Sequence, residues 1–182
     1  MSTTRRGFIQ AGAAAMGGLG TASSALAGSP ELEPGPGKKL NILVLGGTGY
    51  IGPHMVREAL RRGHTVTLFN RARSNSGLFP DLETIKGDRD NGLDGLKGRS
   101  WDAVLDNSGY VPRHVQDSAR LLAGHTDRYV FTSTVSVYAD FNIHNIESSP
   151  LATIDDETVE DVTGETYGAL KALCEERVAG EI

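Results

Sequence analysis

Cysteine is nearly absent. The single Cys174 leaves no internal disulfide to form, so cysteine usage neither requires nor opposes an oxidising compartment. Beside Leu173 in a predicted helix, it reads better as a small buried residue than as a reactive thiol. Positive charge is in short supply, with 18 lysines and arginines against 23 acidic residues and a formal net charge of -5. That balance argues against a nucleic-acid surface while leaving a local basic patch open. There is no internal repeat or heptad, which excludes solenoid and coiled-coil architectures. The apolar run from Ala11 to Leu26 is too short and too rich in glycine for a comfortable membrane span. What remains is an ordinary soluble composition, 38% apolar and 23% charged, in a length suited to about one domain. No metal site is expected.

The first 27 residues read as a leader rather than as part of the fold. Thr4-Arg5-Arg6-Gly7-Phe8-Ile9 resembles a twin-arginine export signal, and Ala25-Leu26-Ala27 forms a small-x-small cleavage site. The expectation is export by the twin-arginine machinery to a periplasmic or other extracytoplasmic location. Residues 28–39 are rich in proline and glycine and read as a linker, leaving 40–182 as the folded domain.

That domain is organised around Asn41 to Gly52, NILVLGGTGYIG. Asn41 to Leu45 is a short apolar run, as expected of a strand buried on both faces. The pattern after Gly52 is helical, with Met55, Val56, Ala59 and Leu60 on one face and Gly63 as the stop. Gly46, Gly49 and Gly52 fit GxxGxxG, a variant of the dinucleotide fingerprint. One glycine makes the tight turn, one lets backbone approach a pyrophosphate, and one lets helix pack on strand. The helix also turns its free N–H groups and positive dipole end toward the phosphates. In a chain with 23 glycines the spacing alone would mean little. The strand before it and the helix after it give it meaning.

Thr65 to Phe69 reads as a second buried strand, so the two strands should run parallel through a right-handed crossover. A fold of this kind that prefers NAD usually ends this strand in an acid that accepts from the adenine ribose. Here Asn70-Arg71 stands in that place, with Arg73 close behind. An arginine fork suits a 2′-phosphate, so the cofactor leans to NADP. Two solvated loop arginines remain the alternative, and Asn70 could bond a ribose hydroxyl and keep NAD acceptable. Leu82 to Lys86 reads as the third strand. Asp88, just beyond it, sits either over an adenine edge or in a solvated turn. Trp101 to Leu105 reads as the fourth strand. It ends in the polar stretch Asp106-Asn107-Ser108-Gly109, at the edge where open α/β sheets bind ligands. Val111 to Gly124 reads as a helix. Tyr129-Val130-Phe131 begins a fifth strand running into Thr132 to Ser136, Asp155 to Asp161 reads as a mobile acidic surface loop, and Gly164 to Val178 reads as the last helix.

The last helix carries Tyr167 and Lys171, four apart and so on one face. A nearby ammonium stabilises a phenolate, which makes the pair a candidate acid/base for moving a proton on or off an alcohol. A hydroxyl from Thr134 or Ser133 could hold the substrate oxygen. Taken together, Gly46 to Gly52, the Asp102–Gly109 strand end, YVFTSTVSVY at Tyr129–Tyr138, and Tyr167 to Lys171 resemble the extended short-chain dehydrogenase/reductase family, in its NAD-dependent epimerase/dehydratase branch. The resemblance implies an α/β fold, a Rossmann-like doubly wound parallel sheet, truncated before a C-terminal substrate domain. It implies Tyr167 as acid/base, Lys171 as its electrostatic partner and nicotinamide-ribose ligand, and Thr134 as the hydroxyl that orients substrate. Candidate cofactor residues are Gly46, Gly49, Tyr50, Ile51, Gly52, Asn70, Arg71, Asp88, Ser108 and Lys171.

Two classes of function follow. One is a nicotinamide-dependent oxidoreductase or epimerase acting on a small-molecule carbonyl, sugar nucleotide or polyol, with a homodimer among the candidate assemblies. The other is a non-catalytic module binding NAD(P) or RNA, or a fragment without activity. Turnover separates them, because a binder needs only the glycine loop. The leader is tested separately: changing Arg5 and Arg6 together to lysine should leave unprocessed protein in the cytoplasm, read by fractionation. Normal processing of that variant would point to another route.

Overall fold

The computed structural model describes residues 37–182. The expected leader, its expected cleavage site and most of the expected linker lie outside the described residues. Five strands form one parallel sheet in the order β3-β2-β1-β4-β5. They are β1 (Asn41–Leu45), β2 (Thr65–Asn70), β3 (Glu83–Lys86), β4 (Ala103–Asp106) and β5 (Tyr129–Phe131). Three helices connect or follow them: α1 (Gly52–Arg61), α2 (Pro112–Leu122) and α3 (Tyr167–Glu181). Strand order reverses at β1, since β2 pairs with its one edge and β4 with the other. The doubly wound parallel sheet expected from the sequence is the fold observed.

The apolar runs become a core through the two-residue period of a strand. Ile42 and Val44 face one side with Val66, Leu68 and Ala103, where Val56 and Ala59 of α1 cover them. Leu43 and Leu45 face the other side with Phe69, Trp101 and Val104, where Leu122 of α2 and Leu96 cover them. Each such side chain contributes about 1.5–3 kcal/mol on burial, so β1 is the most heavily invested strand. α1 starts with a proline in its first turn and is stopped just past Arg61 by Gly63, whose φ of +79° lets His64 N–H bond Ala59 O and Gly63 N–H bond Leu60 O.

Several expected boundaries shift. Leu60 lies on the exposed side of α1 rather than on its buried face. β4 begins at Ala103. Trp101 precedes it in an isolated bridge to Thr126, its ring buried under Leu96 and Leu122. β5 stops at Phe131, because Thr134 turns the chain. Its Oγ1 accepts from Ser136 N–H at 3.2 Å and caps a short 3-10 turn over Val135–Val137. α3 begins at Tyr167 rather than Gly164, since Thr163 Oγ1 accepts from the Glu165 and Thr166 amides and holds those residues in a turn. The acidic loop read as mobile is tied at two points, Glu160 to Arg113 of α2 at 2.6 Å and Glu157 to Arg177 of α3 at 2.6 Å. Cys174 is buried as expected, and burial pushes its thiol up to about 12. Among the described residues no helix is long and apolar enough to cross a membrane.

Candidate functional site

The site is built at the carboxyl edge of the sheet, where β1 leads into α1. Gly46 has φ +89°, and a side chain there would reach within 2.6 Å of Ser108 Cβ. At Gly52 an added Cβ would lie 2.7 Å from the Gly47 carbonyl carbon, so α1 starts with its backbone against the loop that feeds it. Gly49 differs from both: a Cβ there meets nothing within 4 Å. The middle glycine therefore faces open space, as backbone intended for close approach to a ligand requires. Asn107, with its amide nitrogen turned to the two carbonyls, donates to Leu45 O and Gly46 O at 2.8 Å and ties the end of β4 to this loop. From the other side Asn75 Nδ2 donates to Thr48 O at 3.2 Å, fastening the loop after β2 to the same turn.

These ties frame a cleft of about 440 Å³. Gly46, Gly49, Tyr50 and Ile51 line it from the glycine loop. Asn70, Arg71 and Arg73 line it from the end of β2, Asp88 from the end of β3, and Ser108 from the end of β4. The candidate cofactor residues are thus brought together with two exceptions. Gly52 is buried beneath the loop and serves the packing of helix on strand. Lys171 does not line the cleft. Asn70 Oδ1 accepts from Ala72 N–H at 2.8 Å in a local turn, which leaves its amide N–H groups to meet a ligand. Arg71 and Arg73 are exposed beside it.

Lys171 is 3% exposed, and its Nζ donates to Gly109 O at 2.8 Å and Thr132 O at 2.7 Å. The ammonium also lies 3.9 Å from the centre of the Phe131 ring. Burial pushes its pKa below the ordinary lysine value. Its observed bonds join the ends of β4 and β5 to α3. Tyr167 is half-buried in the first turn of the same helix, its ring 6.4 Å from that of Tyr110. The next residue, Gly168, packs against the Ser136 carbonyl, so the start of α3 and the turn capped by Thr134 are in contact. Ser133 Oγ is buried with no hydrogen-bond partner among the described residues.

Sequence reasoning named Asp106 among the polar residues at the end of β4 but missed its buried partner. Asp106, fully buried at the end of β4, takes Arg89 in a two-pronged pair, Nη1 to Oδ1 at 2.6 Å and Nη2 to Oδ2 at 2.8 Å. Arg89 Nη2 also donates to Ser118 Oγ, the Tyr129 hydroxyl donates to Asp106 Oδ2 at 2.7 Å, and Ser108 N–H donates to Asp106 Oδ1 at 3.2 Å. Burial opposes the Arg89 charge, but the Asp106 carboxylate outweighs it and holds the guanidinium above its ordinary value. Burial, and then the same carboxylate, push the Tyr129 phenol upward. A signal existed in the sequence. An aspartate closing the apolar run Ala103-Val104-Leu105 requires a buried partner, and Arg89 follows Asp88 directly. Thr48, Tyr110 and His114 also line the cleft and had not been singled out.

Residues 42–118 match the NAD dependent epimerase/dehydratase family. The matched stretch runs from β1 through most of α2 and contains the whole cleft lining. Among curated proteins, the chain is 40% identical over 67 residues to a 3-beta-hydroxysteroid dehydrogenase of Mycolicibacterium neoaurum, covering 37% of this chain and 18% of that one. It is 48% identical over 48 residues to a UDP-glucose 4-epimerase of Neisseria meningitidis serogroup A, covering 26% and 14%. Among solved structures, the Bordetella bronchiseptica enzyme WbmG in complex with NAD superposes with a TM-score of 0.63 at 18% identity, over 80% of this chain and 51% of that one. That likeness establishes the fold. The chain spans about half the length of WbmG, and its matched stretches cover less than a fifth of the two curated relatives.

The buried pair yields a stability test. Arg89→Met should cost about 3–5 kcal/mol in urea unfolding, because it strands the Asp106 charge in the interior. Adding Asp106→Leu should recover most of that loss. A single Arg89→Met variant as stable as the wild type would contradict the account of the pair.

Proposed function

We propose that the chain is the cofactor-binding part of a member of the NAD-dependent epimerase/dehydratase family, an enzyme using a nicotinamide dinucleotide on a carbonyl, sugar-nucleotide or polyol substrate. The observation that carries this reading is the convergence of the open Gly49, the β2-end arginines and the β4-end Ser108 on one cleft. The residues fit the group. Gly49 leaves room for a pyrophosphate, the start of α1 turns its positive dipole end toward that charge, and Arg71 and Arg73 supply cations for a 2′-phosphate. The names of the two curated relatives favour steroid or sugar-nucleotide substrates. The leader carries the further proposal of twin-arginine export, a route known for carrying folded proteins, which suits a protein that must acquire its nucleotide before leaving the cytoplasm.

When bound, the cofactor supplies a hydride acceptor or donor for the substrate carbon. The chain contributes the proton chemistry. Tyr167 Oη exchanges a proton with the substrate oxygen, and Thr134 Oγ1 orients that oxygen by hydrogen bonding. Lys171, one helical turn on from Tyr167, holds the ends of β4 and β5 against α3. Two of its three donors are engaged with Gly109 O and Thr132 O, which leaves one for a ligand hydroxyl.

Two measurements test this reading. NADP should bind more tightly than NAD in calorimetry, with the gap shrinking at higher salt because exposed charge pairs are screened. Arg71→Ala should cost NADP about tenfold and leave NAD nearly unchanged. Equal affinity for the two cofactors would overturn the NADP preference, and no binding of either would overturn the nucleotide reading. In the longer protein that the resemblance implies, Tyr167→Phe should slow turnover by about 10²–10⁴-fold with cofactor affinity nearly intact. Full activity of that variant would refute the proton-transfer role.

A further inference from the structure

The cleft has an aromatic wall that the family resemblance did not supply. Tyr110 lies one residue beyond Gly109, in the connection between β4 and α2, and lines the cleft while 47% of it is exposed. Its interactions among the described residues are ring contacts rather than hydrogen bonds. The Tyr167 ring is 6.4 Å away at an angle of 34°, and Lys171 Nζ is 5.5 Å from the ring centre. Holding a large half-exposed ring beside a ligand cleft gains little from burial, so the ring is available for stacking.

Sheet order decides which part of a dinucleotide this ring would meet. β1 lies between β2 and β4, and the glycine loop follows β1. A pyrophosphate at that loop sends one nucleoside over β2 and the other over β4. Arg71 and Arg73, at the end of β2, mark the adenosine side. Tyr110, after β4, therefore stands on the opposite side, between the cleft and Tyr167.

We propose that Tyr110 is the aromatic platform for the nicotinamide ring, binding the cofactor at the junction of the cleft with Tyr167. This rests on the nucleotide-binding reading above. The position of Tyr110 is also fixed from below. Its neighbour Gly109 accepts from Lys171 through its carbonyl, and a side chain at Gly109 would come within 2.6 Å of both Phe131 and Val115. The platform is thus carried on a backbone segment pinned to α3, α2 and β5.

The test compares two ligands that differ by the nicotinamide ring alone. NADP contains the nicotinamide riboside, and 2′-phospho-ADP-ribose lacks the nicotinamide ring. Calorimetry on the 182-residue chain should show Tyr110→Ala weakening NADP by about tenfold or more, in line with the loss of one stacking partner. Affinity for 2′-phospho-ADP-ribose should stay within about twofold of the wild type. Tyr110→Phe should bind both ligands like the wild type, since the hydroxyl makes no hydrogen bond among the described residues. Circular dichroism melts check that each variant is folded, and Tyr110→Leu replaces the alanine variant if that one is not. An equal loss for both ligands, or no loss for either, would overturn the platform. Failure of the wild type to bind either ligand would overturn the nucleotide reading and the platform with it.

Discussion

The site depends on backbone meeting backbone at one turn. α1 begins with Gly52 against the Gly46–Gly47 peptide, an approach that any side chain at 52 would block. This contact lets the helix start against the loop that leaves β1, so its positive dipole end faces the carboxyl edge of the sheet. It also sets α1 over Ile42 and Val44 and leaves the other face of β1 for α2. Reversal of strand order at β1 then opens a crevice above that turn, and the strand ends on both sides become its walls.

Beneath the crevice the chain holds two cations out of water. Arg89 is paired with Asp106 and surrounded by Ser118 and the Tyr129 hydroxyl, so its charge is answered by charge. Lys171 is answered by two peptide carbonyls and an aromatic face instead. Both act on the short segment from Asp106 to Gly109. Arg89 holds its start through the carboxylate that also accepts the Ser108 amide, and Lys171 holds its end through the Gly109 carbonyl. The segment that lines the cleft from β4 is therefore positioned by buried polar groups, whose geometry is more demanding than that of apolar packing.

The family match covers β1 to α2, and this is the region in which the cleft is complete. The residues proposed for proton transfer lie beyond it, on the turn after β5 and on α3. Contact between Gly168 and Ser136 brings those two elements together, and Tyr110 stands between them and the cleft. Cofactor binding and proton transfer thus fall to different parts of the chain, joined by the segment that Lys171 pins.

The sequence by itself determined the strands, the helices and the glycine turn. Their signals are local: a two-residue or 3.6-residue apolar period, and glycines where φ is positive or backbones touch. It also marked most of the cleft lining, since ligand residues in a parallel sheet gather just past strand ends, which periodicity locates well. The end of β5, the late start of α3 and the fastening of the acidic loop were decided by side chains capping or pairing with distant backbone and charges. The partnership of Arg89 with Asp106, 17 residues apart, was decided in the same way. So was the turning of Lys171 toward Gly109 and Thr132, although its spacing from Tyr167 was plain in the chain. Spacing along a helix says which residues share a face. Which atoms an ammonium finds there depends on how strands from elsewhere in the chain end, and only the packed sheet supplies that.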